Sequence, residues 1–455
     1  MFIHPARRPP VFSSSNRYGE VMRNIFVIGL EPFNLALLHE IRDAKDYAFH
    51  TLLTYEEAVR PASGHIAFDE LLRTAEERLY QFDGPVDAII SYWDFPSSGL
   101  APMLQKEFGL PGPTLEAVAR CQHKYWSRCV QQEVLPDMVP RFTAVDPFED
   151  GSFPQIDLSF PFWIKPIKAH SSYLGFEIAD EADFRIALPI IRDNIADFAD
   201  AFNAFLKRVD SPPEIAPIGG YHCIAEEMIS AGHQCTLEGY ATEDEVAVYG
   251  IVDSVREGER QSSFSRYQYP SRLPDRVQSR MTDAACRLVQ HIGYRNAPFN
   301  VEFYWDSDTD RIWLLEINAR ISKSHSPLFK LVDGETHQKV SIDLVLGRKP
   351  SMPYREGHHE IAGKFMMRIF EDSVVTRVPG PDDLAAVRAQ FPEVLIRLMV
   401  EEGQRLSHLL YQDSYSFEIA EVFLGAKNED ELLQKYDRVC SLLPFEFSSI
   451  KEANK

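Results

Sequence analysis

The alternation of apolar and polar positions divides the chain into strands and helices that follow one another in a regular order. Residues 24–30 (NIFVIGL) are a short apolar run ending near a glycine, and 35–44 (LALLHEIRDA) have helical spacing. Residues 86–95 (VDAIISYWDF) repeat the theme, with a helix expected over 98–109. Strand-helix alternation of this kind predicts a parallel sheet with helices on its faces. The spacing over 115–134 predicts one long helix, with Thr114 as its cap and Pro136 just beyond its end. A strand (160–167), a helix starting near Asp180, and a helix over 195–209 follow, then a Pro/Gly-rich loop over 210–220. Strands are expected at 221–229, 233–242 and 245–255, a long polar and aromatic loop over 257–275, a helix over 276–292, and two strands at 300–306 and 311–320. The segment 337–347 reads as a helix. The remainder mixes strands with a closing amphipathic helix near 428–443.

The pattern is broken most pointedly in WLLEINAR, residues 313–320. Side chains of a strand alternate between two faces. Trp313, Leu315, Ile317 and Ala319 then form a core face, and Leu314, Glu316, Asn318 and Arg320 form the other. Upstream, FNVEFYW (299–305) alternates in the same manner, and DSDTDR between the two runs is turn chemistry. A hairpin centred near Thr309 puts Glu302 opposite Glu316 and Tyr304 opposite Leu314. Like charges directly opposite each other destabilise a sheet, unless a cation lies between them. Mg²⁺ takes hard oxygen ligands, usually one or two carboxylates completed by phosphate and water. Glu302, Glu316 and the amide oxygen of Asn318 suit that role, and Arg320 could grip a phosphate or carboxylate with two hydrogen bonds. A solvated hairpin face is the plain alternative.

Composition sets outer limits. The chain has 455 residues, 45% hydrophobic and 25% charged, enough for about three domain-sized units. A net charge of −21 argues against broad binding to nucleic acid or anionic membrane. The six cysteines form no C-x-x-C pair, which fits reduced thiols and a cytoplasmic location. No apolar run reaches the length of a membrane span, and the basic N-terminus has no apolar signal core.

A second candidate lies at FPFWIKPIKAHSSYLGFEI (160–178), an apolar strand interrupted by Lys165 and followed by a loop with Ala169, Ser171, Ser172 and Gly175. Small residues let backbone N–H groups approach a phosphate. Lys124 in CQHKYWSRC is a further candidate cation, and IAEEMI (224–229) is an apolar strand bearing Glu226 and Glu227.

In this order, the pieces resemble the ATP-grasp superfamily of ATP-dependent ligases from about residue 24 to the C-terminus. The most specific part is NVEFYWDSDTDRIWLLEINAR, which is similar to that family's paired glutamates and E-x-N-x-R signature. The resemblance implies an α/β and α+β multidomain fold: a flexible arm (1–23), a parallel α/β domain (24–121), an ATP-grasp domain (122–350) and a C-terminal β-rich subdomain (351–455). The ATP-grasp domain would hold a mobile lid (about 158–225) and an antiparallel-sheet core. It further implies Lys124 and Lys165 on the ATP phosphates, with Ser171, Ser172 and Gly175 in the lid loop. Glu226 and the backbone of Glu227 and Ile229 would hold adenine, and Gln234 stands where the family often has a ribose-binding glutamate. Glu302, Glu316 and Asn318 would bind two Mg²⁺ ions, with Mn²⁺ as a substitute, and Arg320 would hold the transferring phosphate or the acyl substrate. The expected activity is an ADP-forming ligase that joins a small carboxylic acid to an amine through an acyl phosphate, Arg320 and Lys165 being catalytic. Homo-oligomers are compatible with this. The layout also resembles biotin carboxylases, but those have a glutamate base where this chain has Ser324. A nucleotide-binding regulatory protein is the remaining alternative. Arg266 and Arg272 in the 262–274 segment are candidate anchors for a substrate carboxylate, and His325 a candidate base near the amine.

Overall fold

The computed structural model describes residues 22–61, 65–149, 156–169, 173–229, 232–257, 263–409 and 416–449. Near the N-terminus, β1 (Arg23–Leu30), β2 (Tyr47–Thr54) and β3 (Ala88–Ser91) form a parallel sheet in the order β2-β1-β3. All but the first two residues of β1 are buried, as in parallel strands covered on both faces.

A second sheet is antiparallel, in the order β4-β7-β5-β6, from Phe142–Val145, Cys223–Glu227, Phe162–Pro166 and Phe176–Ile178. The helices Glu181–Asn194 and Ala196–Leu206 pack on it through Phe184, Ala187, Ile191 and Ala199. Asp180 caps the first of these helices by accepting from the N–H groups of Ala182 and Asp183.

The largest sheet has eight strands. They are β8 (His233–Ala241), β9 (Val246–Glu257), β10 (Ser263–Tyr269), β11 (Ala297–Asp306), β12 (Arg311–Asn318), β13 (Ile361–Ile369), β15 (Leu395–Leu398) and β16 (Phe417–Ala426). β14 (Ser373–Arg377) and β17 (Glu446–Ser449) pair separately. Their order is β12-β11-β8-β9-β10-β13-β16-β15, so strands from the last hundred residues continue the sheet that holds the glutamate hairpin. One face packs Leu237, Val301, Phe303 and Leu314 onto the helix Asp275–Ile292, whose buried stripe includes Val277, Met281, Leu288 and Ile292. The other face carries charge.

Three expectations are corrected. The helix expected over 115–134 is two helices, Leu115–Gln122 and Lys124–Val134, broken at His123, which is extended (φ −82°, ψ 97°). Its ring nitrogen Nδ1 accepts from the N–H of Trp126, capping the second helix, while Nε2 meets the Ile218 carbonyl at 2.7 Å. The loop expected over 257–275 contains β10, an interior strand paired on both sides, with a register shift between Phe264 and Arg266. Its polar residues disguised it, because Arg266 and Gln268 are buried in the sheet. Third, the hairpin is not a uniform ladder. Glu302 pairs with Glu316 as expected, but Phe303 pairs with Leu314 and Tyr304 with Trp313. Leu315 is an extra residue, a β-bulge. The buried positions of β12 are accordingly Ile312, Leu314 and Ile317, and Trp313 lies under the guanidinium of Arg311 instead of in the core.

Candidate active site

The site is built around the bulged hairpin. Asn300 pairs with Asn318 and Glu302 with Glu316, so two carboxylates and two amides share one face. Asn318 Nδ2 donates to Asn300 Oδ1 at 2.9 Å and approaches Glu302 Oε1 at 3.4 Å. Asn300 Nδ2 donates to the carbonyl of Arg320 at 3.2 Å, fixing the chain where it leaves β12. Burial, and then the charge of Glu316, push the Glu302 carboxyl up to about 8. The pair is thus electrostatically incomplete, and its donors are hard oxygens: two carboxylates and, since its amide nitrogen is the hydrogen-bonding end, the Asn318 amide oxygen. That set fits a hard divalent cation.

Cations converge on the same place from three other elements. Lys124, at the start of its helix, donates from Nζ to the Ala169 carbonyl at 2.8 Å. Burial first, then Lys168, lower it to about 8; Glu316, Lys165 and Asp94 also act on it. Lys165 on β5 pairs with Glu226 at 2.6 Å, and Arg128 reaches the other oxygen of Glu226 at 2.5 Å. Against the desolvation that would raise it, these two cations hold the Glu226 carboxyl down to about 2. Arg128 also donates to the Leu314 carbonyl at 2.7 Å, tying β7 to the bulged strand. Arg320 and Lys168 both grip Asp94, at 3.3 and 2.9 Å.

The residues expected to meet do so in large part. Glu302, Glu316 and Asn318 share one face of the hairpin, Arg320 acts on both glutamates, and Lys124 feels Glu316 and Lys165. The carboxylate of Glu226 is occupied by Arg128 and Lys165, and that of Glu227 by Arg141 at 2.7 Å, while the Glu227 N–H donates to the Arg141 carbonyl at 3.0 Å and Ile229 follows the end of β7. Gly175 precedes β6, while Ser171 and Ser172 lie outside the described residues. Gln234 is 4% exposed and pinned: Nε2 donates to Glu302 at 3.0 Å, and Oε1 accepts from Arg256 at 2.8 Å. Its amide is taken by Glu302 and Arg256 and does not stand open to a sugar hydroxyl, contrary to the ribose expectation.

Two more expectations are overturned. Arg266 and Arg272 do not line a pocket; both guanidinium groups pair with Glu429, Arg266 at 2.6 Å, and they hold the helix Glu429–Leu442 to the sheet. His325 is 2% exposed, and its Nδ1 lies 2.8 Å from Glu238, a fully buried carboxylate that also accepts from the N–H of Ser322. Burial lowers His325 to about 3 and raises Glu238 to about 7. This assembly pins the turn after β12; it does not face a substrate. Asp94, Arg128, Lys168 and Arg256 escaped the sequence reading. The one local signal was WD after an apolar strand, an acid where a β-α turn begins.

The family described as carbamoyl-phosphate synthase L chain, ATP binding domain, matches residues 263–349, the stretch from β10 through the glutamate hairpin to the helix Gln338–Val345. The carbamoyl phosphate synthase large chain of Xylella fastidiosa is 33% identical over 110 residues, 24% of this chain and 10% of that one. The chain therefore spans about a tenth of the length of that relative. Among solved structures, L-amino acid ligase from Bacillus licheniformis matches with a TM-score of 0.67 at 15% identity, over 94% of this chain and 99% of that one. Biotin carboxylase from Campylobacter jejuni, solved as a β,γ-ATP complex, matches with a TM-score of 0.62 at 14% identity, over 93% and 92%. The chain thus shares the carbamoyl-phosphate synthase L chain ATP-binding match over residues 263–349 and carries the fold seen in L-amino acid ligase and biotin carboxylase.

Proposed function

We propose that this protein is an ADP-forming ligase that joins a carboxylic acid to an amine through an acyl phosphate. The observation that carries the reading is the in-register opposition of Glu302 and Glu316, with the amide oxygen of Asn318 beside them and Arg320 two residues beyond. Magnesium, held by Glu302, Glu316 and Asn318, would neutralise the phosphate oxygens of ATP. The chain's own residues do the rest. Lys124 and Lys165 approach from two elements and surround the triphosphate. The backbone at Met228 and Ile229 offers its N–H and carbonyl groups to adenine, because the Glu227 N–H already donates to the Arg141 carbonyl at 3.0 Å. Arg320, steadied by Asp94, orients the acid.

In the first step an oxygen of the substrate carboxylate attacks the γ-phosphorus, and the bond to the β-bridging oxygen breaks, releasing ADP. In the second, the amine nitrogen attacks the acyl carbon and expels inorganic phosphate, and the amine gives up a proton to solvent. The first step is chiefly one of positioning and charge neutralisation. Water must be kept from the acyl phosphate.

Biotin-dependent carboxylation is a second reading, favoured by the likeness to biotin carboxylase. Ser324, where a glutamate base is expected for that chemistry, weighs against it. The deciding experiment measures ADP formation with ATP and Mg²⁺ across pairs of acids and amines, then with bicarbonate and biotin. Turnover that needs both an acid and an amine supports ligation; turnover driven by bicarbonate and biotin overturns it.

A further inference from the structure

Lys323 is the group this reading leaves unused. It lies three residues beyond Arg320, in the turn held by Glu238, and its side chain is 20% exposed. Its Nζ stands 4.2 Å from the ring of Trp93, the neighbour of the Asp94 that holds Arg320. Among the described residues its nearest carboxylate oxygen belongs to Glu31, at 4.0 Å, and no acceptor comes within hydrogen-bond distance. Glu31 is already committed to Arg397, at 2.8 Å, and Glu421 to Lys364, at 2.5 Å. Desolvation lowers Lys323 to about 8, opposed by the more distant Glu421 and Glu31. An ammonium so placed has carboxylates at a distance but no hydrogen-bond acceptor among the described residues, three residues beyond Arg320.

Resting on the ligase reading above, we infer that Lys323 receives a second, non-reacting carboxylate of a substrate, so that the enzyme selects a dicarboxylic acid or an α-amino acid. The two sources share one chemistry and separate by step. A carboxylate on the acid is felt when the acyl phosphate forms; one on the amine is felt only in the coupling.

The test compares wild type with Lys323→Met. Hydroxylamine replaces the amine, and acyl hydroxamate is measured for dicarboxylates from malonate to adipate and for their monoamides. Coupling is then measured with the proteinogenic L-amino acids and their carboxamides. Wild type should favour carboxylate over amide by about 10- to 100-fold in kcat/KM in one of the two series. Lys323→Met should erase that preference through KM and leave the amide rates unchanged, while Lys323→Arg retains part of it. A preference that survives in Lys323→Met, or no preference in either series, overturns the inference. If no acid gives hydroxamate, the ligase reading falls by itself. Calorimetric titration of both proteins with the same carboxylates and amides still decides the role of Lys323: equal affinities in wild type and variant would overturn it.

Discussion

The two ends of the large sheet carry buried carboxylates on the same face and treat them in opposite ways. At the β12-β11 end, burial and Glu316 raise Glu302 to about 8. At the β13-β16-β15 end, Glu421 meets Lys364 at 2.5 Å and Arg397 at 3.6 Å, and these with Lys323 hold it down to about 2 despite its burial. The ladder links the two ends residue by residue: Tyr304 pairs with Gln234, Gln234 with Ser254, Ser254 with Tyr267, and Tyr267 with Lys364. Both carboxylates sit in paired strands, Glu302 partly and Glu421 fully buried; what differs more is the cations that close on them. A finished ion-pair cluster joins the C-terminal strands to the turn after β1 through Glu31 and Arg397. An unfinished one requires charge to be delivered. The first is a structural joint, and the second is the place the proposed function gives to magnesium and ATP.

The comparison breaks most visibly with Glu316→Ala. ADP formation should fall by about 1000-fold or more, measured by phosphate release. The melting temperature should hold or rise, because a like-charge neighbour is removed. Loss of stability without loss of turnover would reverse the roles assigned to the two ends. Glu421→Ala should do the opposite to the fold, leaving Lys364 buried without its nearest partner. A loss of about 3 kcal/mol or more is expected in urea unfolding.

Acid titration sharpens the contrast. Glu421 has a folded pKa near 2, below the ordinary value of about 4.3. Its contribution to stability is present above that ordinary value and is lost as pH falls through about 2. Glu302, raised to about 8, runs the other way: its contribution is complete below the ordinary value and is lost as pH rises through about 8. Unfolding free energies from pH 2 to 9 should show both limbs, the acid limb reduced in Glu421→Gln and the alkaline limb in Glu316→Ala. The smallest effect concerns ligand. Magnesium with ATP, at about a hundred times its dissociation constant, should stabilise wild type by about 2.7 kcal/mol, measured as a thermal shift. Glu302→Gln should lose most of that gain, and Lys364→Met should keep it.

The hairpin itself was legible because strand alternation and turn residues are local. FNVEFYW and WLLEINAR declare their period, and the pairing of Glu302 with Glu316 follows from it. The bulge at Leu315 was not legible, since a register is chosen by what both strands can bury together. Misreading it put Trp313 in the core and Leu314 outside, the reverse of what is observed. Arg266 and Arg272 looked like free cations in a loop because Glu429 is far away in the chain. His325 looked catalytic until Glu238 claimed it.

What the chain alone determined is most of the succession of strands and helices, short of the break at His123 and of β10, together with the resemblance to an ATP-grasp signature and the identity of the two opposed glutamates, all of which rest on short-range periodicity and spacing. What only the tertiary structure decided is which charges are answered. Lys165 and Arg128 close on Glu226, Lys364 and Arg397 close on Glu421, and among the described residues no opposite charge comes as close to Glu302 or Lys323. Charge compensation depends on distances of a few ångströms between segments hundreds of residues apart, and no local pattern encodes those distances.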